Sequence, residues 1–214
     1  MILKKALLLA TVILAVGCES TYYDALEKVG FHKRDILIDR IESAQESQED
    51  GQEQFKDALE QFQAVVNFDG GELQDIYEKL NDEYEDSVDA AETITARIDS
   101  VESVADALFS EWQTELGEYS NERYRRDSER QLKETERRYN RLLTSMRKAE
   151  KSIQPVLSTL KDNVLFLKHN LNARAIASLK NELGTVNQDV AALIATMQSA
   201  IDESNAFIAE LRQE

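Results

Sequence analysis

Apolar residues recur every three or four positions through most of this 214-residue chain. The spacing is clearest over residues 176–211, and it also covers residues 77–112 and 132–167. This period is that of one face of an α-helix. Three apolar positions per heptad make a face wider than the seam of a two-stranded coiled coil. Because glycine and proline number only seven and one, the sequence predicts an all-α protein in which long helices pack as a bundle.

Three turn-forming sequences divide the chain into four helices, predicted at about residues 22–66, 72–119, 121–170 and 173–213. The turns are residues 67–71, Ser120-Asn121 and residues 170–172. Helices of similar length joined by short turns run antiparallel to their neighbours. We therefore predict one elongated antiparallel four-helix bundle, a coiled-coil-like rod, over residues 18–214. Pro155 falls on the outward face of the third helix, where a kink is tolerated best.

The first helix has the least apolar inward face. Ala44, Ser47 and Gly51 occupy its predicted inward positions. Small residues there let two helix backbones approach, or they leave a slack layer lined by polar groups. In the second case the bundle could bind a small ligand, although the sequence names none.

The first 18 residues have the features of a bacterial lipoprotein signal. Lys4 and Lys5 precede an apolar run of 11 residues, which is too short to span a bilayer,. Small residues then lead to Cys18, the only cysteine, although Ala15 stands where leucine is more common. We predict removal of residues 1–17 and acylation of Cys18 by fatty acids such as palmitate. An ordinary signal peptide followed by an incidental thiol is the alternative.

The residue after Cys18 predicts where the anchored protein resides. Glu19 stands in place of the aspartate that commonly retains lipoproteins at the inner membrane. We therefore expect the chain in the cell envelope, on the periplasmic leaflet of the outer membrane. Three acyl chains would hold it there stably, at about 0.8 kcal/mol per buried CH₂ group.

Charge is unevenly distributed along the chain. Without Lys4 and Lys5, 23 basic residues face 41 acidic ones, which gives a net charge of −18 and argues against nucleic-acid binding,. Residues 42–118 contain 23 acidic and three basic residues, whereas residues 121–151 contain 11 basic and six acidic ones. The simplest explanation is that the third helix neutralises acidic neighbours inside the bundle. The alternative is an acidic face that binds divalent cations or a basic partner.

No sequence pattern here is typical of an active site or a metal site. His32 and His169, the only histidines, fall at opposite ends of the predicted bundle. Paired cysteines, a His-Glu-x-x-His sequence, a nucleophile elbow, a phosphate-binding loop and an EF-hand loop are all missing,. We therefore expect no enzymatic activity, no metal site and no cofactor.

The predicted topology brings two of the turns together at one end of the bundle. Beside them, residues 164–167 are apolar on more faces than one stripe requires. This end is either a well-capped terminus of the bundle or a surface that docks an envelope protein. The residues of the docking hypothesis are Phe68, Asp69, Gly70, Gly71, His169, Asn170, Asn172 and Arg174.

Residues 30–37, 65–73 and 166–179 resemble an uncharacterised Gram-negative lipoprotein family, domain of unknown function 2959. The resemblance covers essentially the whole mature chain. It implies an envelope lipoprotein and brings no activity, substrate or catalytic residue.

The favoured function is a structural or protein-docking rod in the periplasm. One alternative is an oligomeric membrane-associated scaffold that would contact lipid headgroups through Arg123, Arg125, Arg126 and Arg130, near the lipidated base. Another is a helical bundle that binds a ligand or a cation. The oligomeric state is not predicted.

Overall fold

A computed structural model describes residues 23, 32–68, 70 and 72–213. These residues form four helices: α1, Lys33–Val66; α2, Leu73–Glu115; α3, Glu122–His169; and α4, Ala173–Leu211. No strand occurs in this part of the chain. The all-α prediction is confirmed, and so are the three turns. Cys18, with the rest of the predicted lipoprotein signal, lies outside the described residues.

The turn between α2 and α3 is longer than predicted. α2 ends at Glu115, four residues before its predicted end at residue 119. The chain tightens there, because the backbone N–H of Gly117 donates to the carbonyl of Thr114 at 3.0 Å. Asn121 then begins α3, since its Oδ1 accepts from the backbone N–H groups of Arg123 and Tyr124, at 2.9 and 3.4 Å,.

The helices contribute to two compact units. Unit 1 comprises Met1–Arg40 and Ser100–Glu136. In its described part, Tyr23 and the beginning of α1 pack on the C-terminal part of α2. The Tyr23 hydroxyl lies 3.2 Å from the Ser103 hydroxyl, and Lys33, only 2% exposed, donates to Glu111 at 2.9 Å.

Unit 2 comprises Ile41–Asp99 and Arg137–Glu214, and all four helices contribute to it. Polar contacts show that neighbouring helices run antiparallel, since residue numbers rise along one helix as they fall along the next. The contacts between helices are Gln54–Glu83 (2.8 Å), Gln63–Asn187 (3.3 Å), Arg212–Glu42 (2.7 Å), Arg138–Glu210 (3.2 Å), Ser152–Thr196 (2.7 Å) and Arg147–Asp99 (2.6 Å). Unit 2 is thus an antiparallel four-helix bundle. The single domain predicted over residues 18–214 stays a prediction.

The predicted apolar stripes form the core of unit 2. On α4, for example, the stripe is buried at nearly every position from Ala175 to Leu211. The largest side chains of this core with almost no exposure are Ile41, Phe55, Phe62, Leu80, Ile94, Ile98, Leu142, Met146, Ile153 and Leu160. Pro155 is exposed and α3 continues through it, so the prediction that it faces outward is confirmed.

Candidate functional site

Two turns lie side by side at one end of unit 2, and we call this end the loop end. It comprises residues 67–72, between α1 and α2, and residues 170–172, between α3 and α4. A cavity of about 290 Å³ joins the two sides. Phe68 of the first turn and Leu73, the first residue of α2, line one side, and Ile176, Ala177 and Lys180 of α4 line the other. The first turn therefore lies against the beginning of α4, which directly follows the second turn, in agreement with the predicted proximity of the two turns.

The turn between α3 and α4 is held by its own amide side chains. Asn170 Nδ2 donates to the Phe166 carbonyl at 2.9 Å. Asn172 is the N-cap of α4, since its Oδ1 accepts from the backbone N–H groups of Arg174 at 3.0 Å and Ala175 at 3.2 Å,. These two asparagines have a clear structural role, so they are poor candidates for contacting a partner.

Other predicted site residues remain available at the surface. The side chains of His169 and Arg174 are exposed, and Phe68 is half-buried at the cavity. Gly70 is exposed with φ +153°, a backbone conformation that favours glycine,. Asp69 and Gly71 lie outside the described residues. The structure brings the described members together at one end, while their role in docking stays a prediction.

Exposed apolar side chains concentrate at the loop end. Of the five large apolar side chains exposed in the described residues, three lie in the second turn or within five residues before it: Leu165 (47%), Phe166 (40%) and Leu171 (37%). Phe166 also lines a groove of about 490 Å³ between α3 and α4, together with Leu179. The apolar residues at 164–167 that exceed a single helical stripe, Leu165 and Phe166, are therefore exposed at the surface. Clustered apolar exposure is typical of interaction sites.

The predicted slack layer in α1 is tightly packed at Gly51. A Cβ atom there would lie 2.7 Å from Ile94 Cδ1 and 3.6 Å from Met197 Cε. Ala44 is fully buried, and the Ser47 hydroxyl donates to its carbonyl at 2.8 Å. The small residues thus let the helices approach, which is the first of the two predicted outcomes.

Sequence reasoning missed a buried amide in the same helix. Gln48 is 0% exposed, and neither its Oε1 nor its Nε2 has a hydrogen-bond partner in the described part of the chain. Gln52, one turn further, is 8% exposed, and its Nε2 is likewise unpartnered there. The helical spacing of the inward positions places Gln48 on the same face, because it lies four residues after Ala44 and three before Gly51.

The basic residues of α3 are largely paired with acidic ones. Arg147 reaches Asp99 of α2 at 2.6 Å, and Arg138 reaches Glu210 of α4 at 3.2 Å. These contacts support the explanation that α3 neutralises acidic neighbours.

The arginines near the start of α3 pair mainly within that helix. Arg125 lies 3.1 Å from Glu122, and this hydrogen bond is the main cause that raises the pKa of Arg125. Lys133 lies 2.6 Å from Glu129 and lowers the pKa of that carboxyl. Little positive charge is therefore left over for contact with an anionic headgroup.

Two further properties of the described residues bear on the predicted partners. No group of three or more His, Cys, Asp or Glu side chains among them is arranged to hold a metal ion. None of the helices in the described ranges is both long enough and apolar enough to cross a membrane.

Comparison with known proteins identifies the family. The family model described as "Protein of unknown function (DUF2959)" matches residues 22–211. No curated protein and no solved structure has a significant match to the chain. The family match includes all four helices and both turns of the loop end. The chain therefore belongs to the DUF2959 family.

Proposed function

We propose that this protein is a non-enzymatic lipoprotein of the bacterial envelope that docks a protein partner through its loop end. In this proposal, acylated Cys18 anchors the chain in the periplasmic leaflet of the outer membrane. The support for the anchor is the N-terminal sequence: a basic start, an 11-residue apolar run and small residues before the cysteine,. The support for docking is structural.

The observation that carries the docking proposal is the exposure of Leu165, Phe166 and Leu171 at one end of unit 2. These side chains flank a turn whose backbone is already held by Asn170 and Asn172. A surface that is ordered before binding loses less conformational entropy when a partner arrives. Aromatic and arginine side chains dominate many interface cores, and Phe166 is close in sequence to the exposed Arg174.

The two alternative functions have less support. The scaffold alternative needs free arginines near the start of α3, but Arg123, Arg125 and Arg130 lie in ion pairs with acidic residues of α3. Of the four candidates only Arg126 makes no ion pair in the described residues, and its Nε donates to the backbone carbonyl of Glu122. The ligand-binding alternative needs space near Gly51, where the nearest side chains are already in close contact. We therefore favour docking.

Site-specific photo-crosslinking in cells tests the docking proposal. A photoreactive amino acid is placed at Phe68 or Leu171, and at Glu92, an exposed residue of α2, as a control. We expect one defined adduct from the two loop-end positions and none from Glu92. Equal adducts from all three positions, or no adduct from any, would contradict docking at the loop end.

Membrane fractionation of the wild-type protein and of Cys18→Ser tests the anchor separately. We expect the wild type in the outer-membrane fraction and the variant in the soluble periplasmic fraction. Release of both proteins into the soluble fraction would exclude anchoring through Cys18.

A further inference from the structure

The charged residues between Asp162 of α3 and Glu182 of α4, on the α3–α4 side of the loop end, are all basic. Residues 163–181 contain no aspartate or glutamate, in a chain in which 41 of 214 residues are acidic. The same 19 residues contain Lys168, Arg174 and Lys180, all with exposed side chains, together with His169. We call residues 163–181 the basic segment.

The α1–α2 side has the opposite composition. Residues 57–78 contain six acidic residues and no lysine, arginine or histidine. Glu72 and Asp75, at the beginning of α2, are exposed. We call residues 57–78 the acidic segment. The 290 Å³ cavity shows that the two segments adjoin, because Phe68 and Leu73 of one and Ile176, Ala177 and Lys180 of the other line it.

The opposite charges do not neutralise each other within the described chain. Glu72, Asp75, Lys168, Arg174 and Lys180 make no salt bridge in the described ranges, although many other charged residues of the bundle do. Each loop end therefore presents an unpaired basic half beside an unpaired acidic half. Such a surface is complementary in charge to the same surface on a second copy, as a two-fold symmetric contact requires.

We propose that the partner docked at the loop end is a second copy of this chain. A two-fold axis in the plane of contact would place the basic segment of each copy on the acidic segment of the other. The exposed Leu165, Phe166 and Leu171 would supply apolar contact area, and the charges would set the register and exclude other arrangements. This inference rests on the proposed docking function and names its partner.

Charge reversal with reciprocal rescue is the test. The mature chain carrying Cys18→Ser is studied by sedimentation velocity from about 20 μM to about 1 mM, because an end-on contact is smaller than a standard interface. We expect a reversible dimer. Lys168→Glu with Arg174→Glu reverses two charges of the basic segment, and Glu72→Lys with Asp75→Lys reverses two charges of the acidic segment. Each variant alone should raise the dissociation constant about tenfold or more.

The rescue experiment shows whether a variant fails to dimerise because charge complementarity is lost or because the chain does not fold. An equal mixture of the two variants should form a dimer again, and the chain carrying all four changes should dimerise like the wild type. Reversals on exposed residues away from the loop end, Lys151→Glu and Glu92→Lys, should leave the dimer unchanged. A wild type that is monomeric at 1 mM, or a mixture that stays monomeric while both variants keep the wild-type circular dichroism spectrum, would overturn the inference.

The crosslinking experiment separates this inference from the proposed function. An adduct from Phe68 with twice the mass of the chain supports both. An adduct with a different protein, found with a monomeric wild type, preserves docking and overturns the second-copy inference. The lack of any adduct overturns docking itself.

Discussion

Replacing Gln48 by methionine should stabilise the protein. Gln48 is fully buried in unit 2, and neither polar atom of its side chain has a hydrogen-bond partner in the described part of the chain. Methionine is unbranched and apolar, so it can follow nearly the same path through the core. The substitution therefore removes two buried polar atoms while largely preserving the packing around Gly51.

The expected gain follows from the cost of an unsatisfied buried group, which is about 1–3 kcal/mol. Both polar atoms of Gln48 belong to one amide, so we count this cost once. The free energy of unfolding should rise by about 1–3 kcal/mol. For a chain of this length, each kcal/mol corresponds to a Tm increase of about 2–4 °C.

Urea unfolding followed by circular dichroism measures the change. Gln54→Met is the matched control, because Gln54 is a half-buried residue of α1 whose Nε2 donates to Glu83 Oε2 at 2.8 Å. Replacing Gln54 removes an existing hydrogen bond and should not raise the free energy of unfolding. If Gln48→Met instead lowers the free energy of unfolding by more than about 1 kcal/mol, then the amide is hydrogen-bonded in solution and the reasoning is wrong.

Three other substitutions test the packing of the glycines and the N-cap of α4. Gly51→Ala should lower the free energy of unfolding by about 1 kcal/mol, because the clash with Ile94 outweighs the gain in helix propensity,. Gly184→Ala, with nothing within 4 Å of the added Cβ, should instead raise it by about 0.5–1 kcal/mol,. Thermal or urea unfolding checks both, and the reverse order would contradict the contact at Gly51. Asn172→Ala should cost about 1 kcal/mol through loss of the α4 N-cap,, and an unchanged melt would contradict that role.

Much of this fold was predictable because helix-period spacing and scarce helix breakers point to the same architecture. The three turns and the proximity of Phe68 to α4 followed from helix lengths and short connections. The exact end of α2 did not, because it depends on tight local hydrogen bonds around Gly117. Helix periodicity does not report such local hydrogen bonds.

The buried amide in α1 was missed for a different reason. Its position follows the three-and-four spacing through Ala44, Gln48 and Gly51. A glutamine is expected to avoid a dry core, and the smaller polar Ser47 next to it is the more readily buried side chain, so the sequence does not single out Gln48. The unpaired charges of the loop end could not be predicted either, because pairing depends on which side chains meet across helices.

Crosslinking from Phe68 in cells that carry Arg174→Ala tests the central claim of docking most directly. The Arg174 side chain is exposed and makes no salt bridge in the described residues, so its removal should leave the melt nearly unchanged. If the loop end docks a partner, the adduct seen from Phe68 should be lost or strongly reduced, because arginine is among the residues that dominate interfaces. An undiminished adduct in a normally folded Arg174→Ala protein would contradict the account.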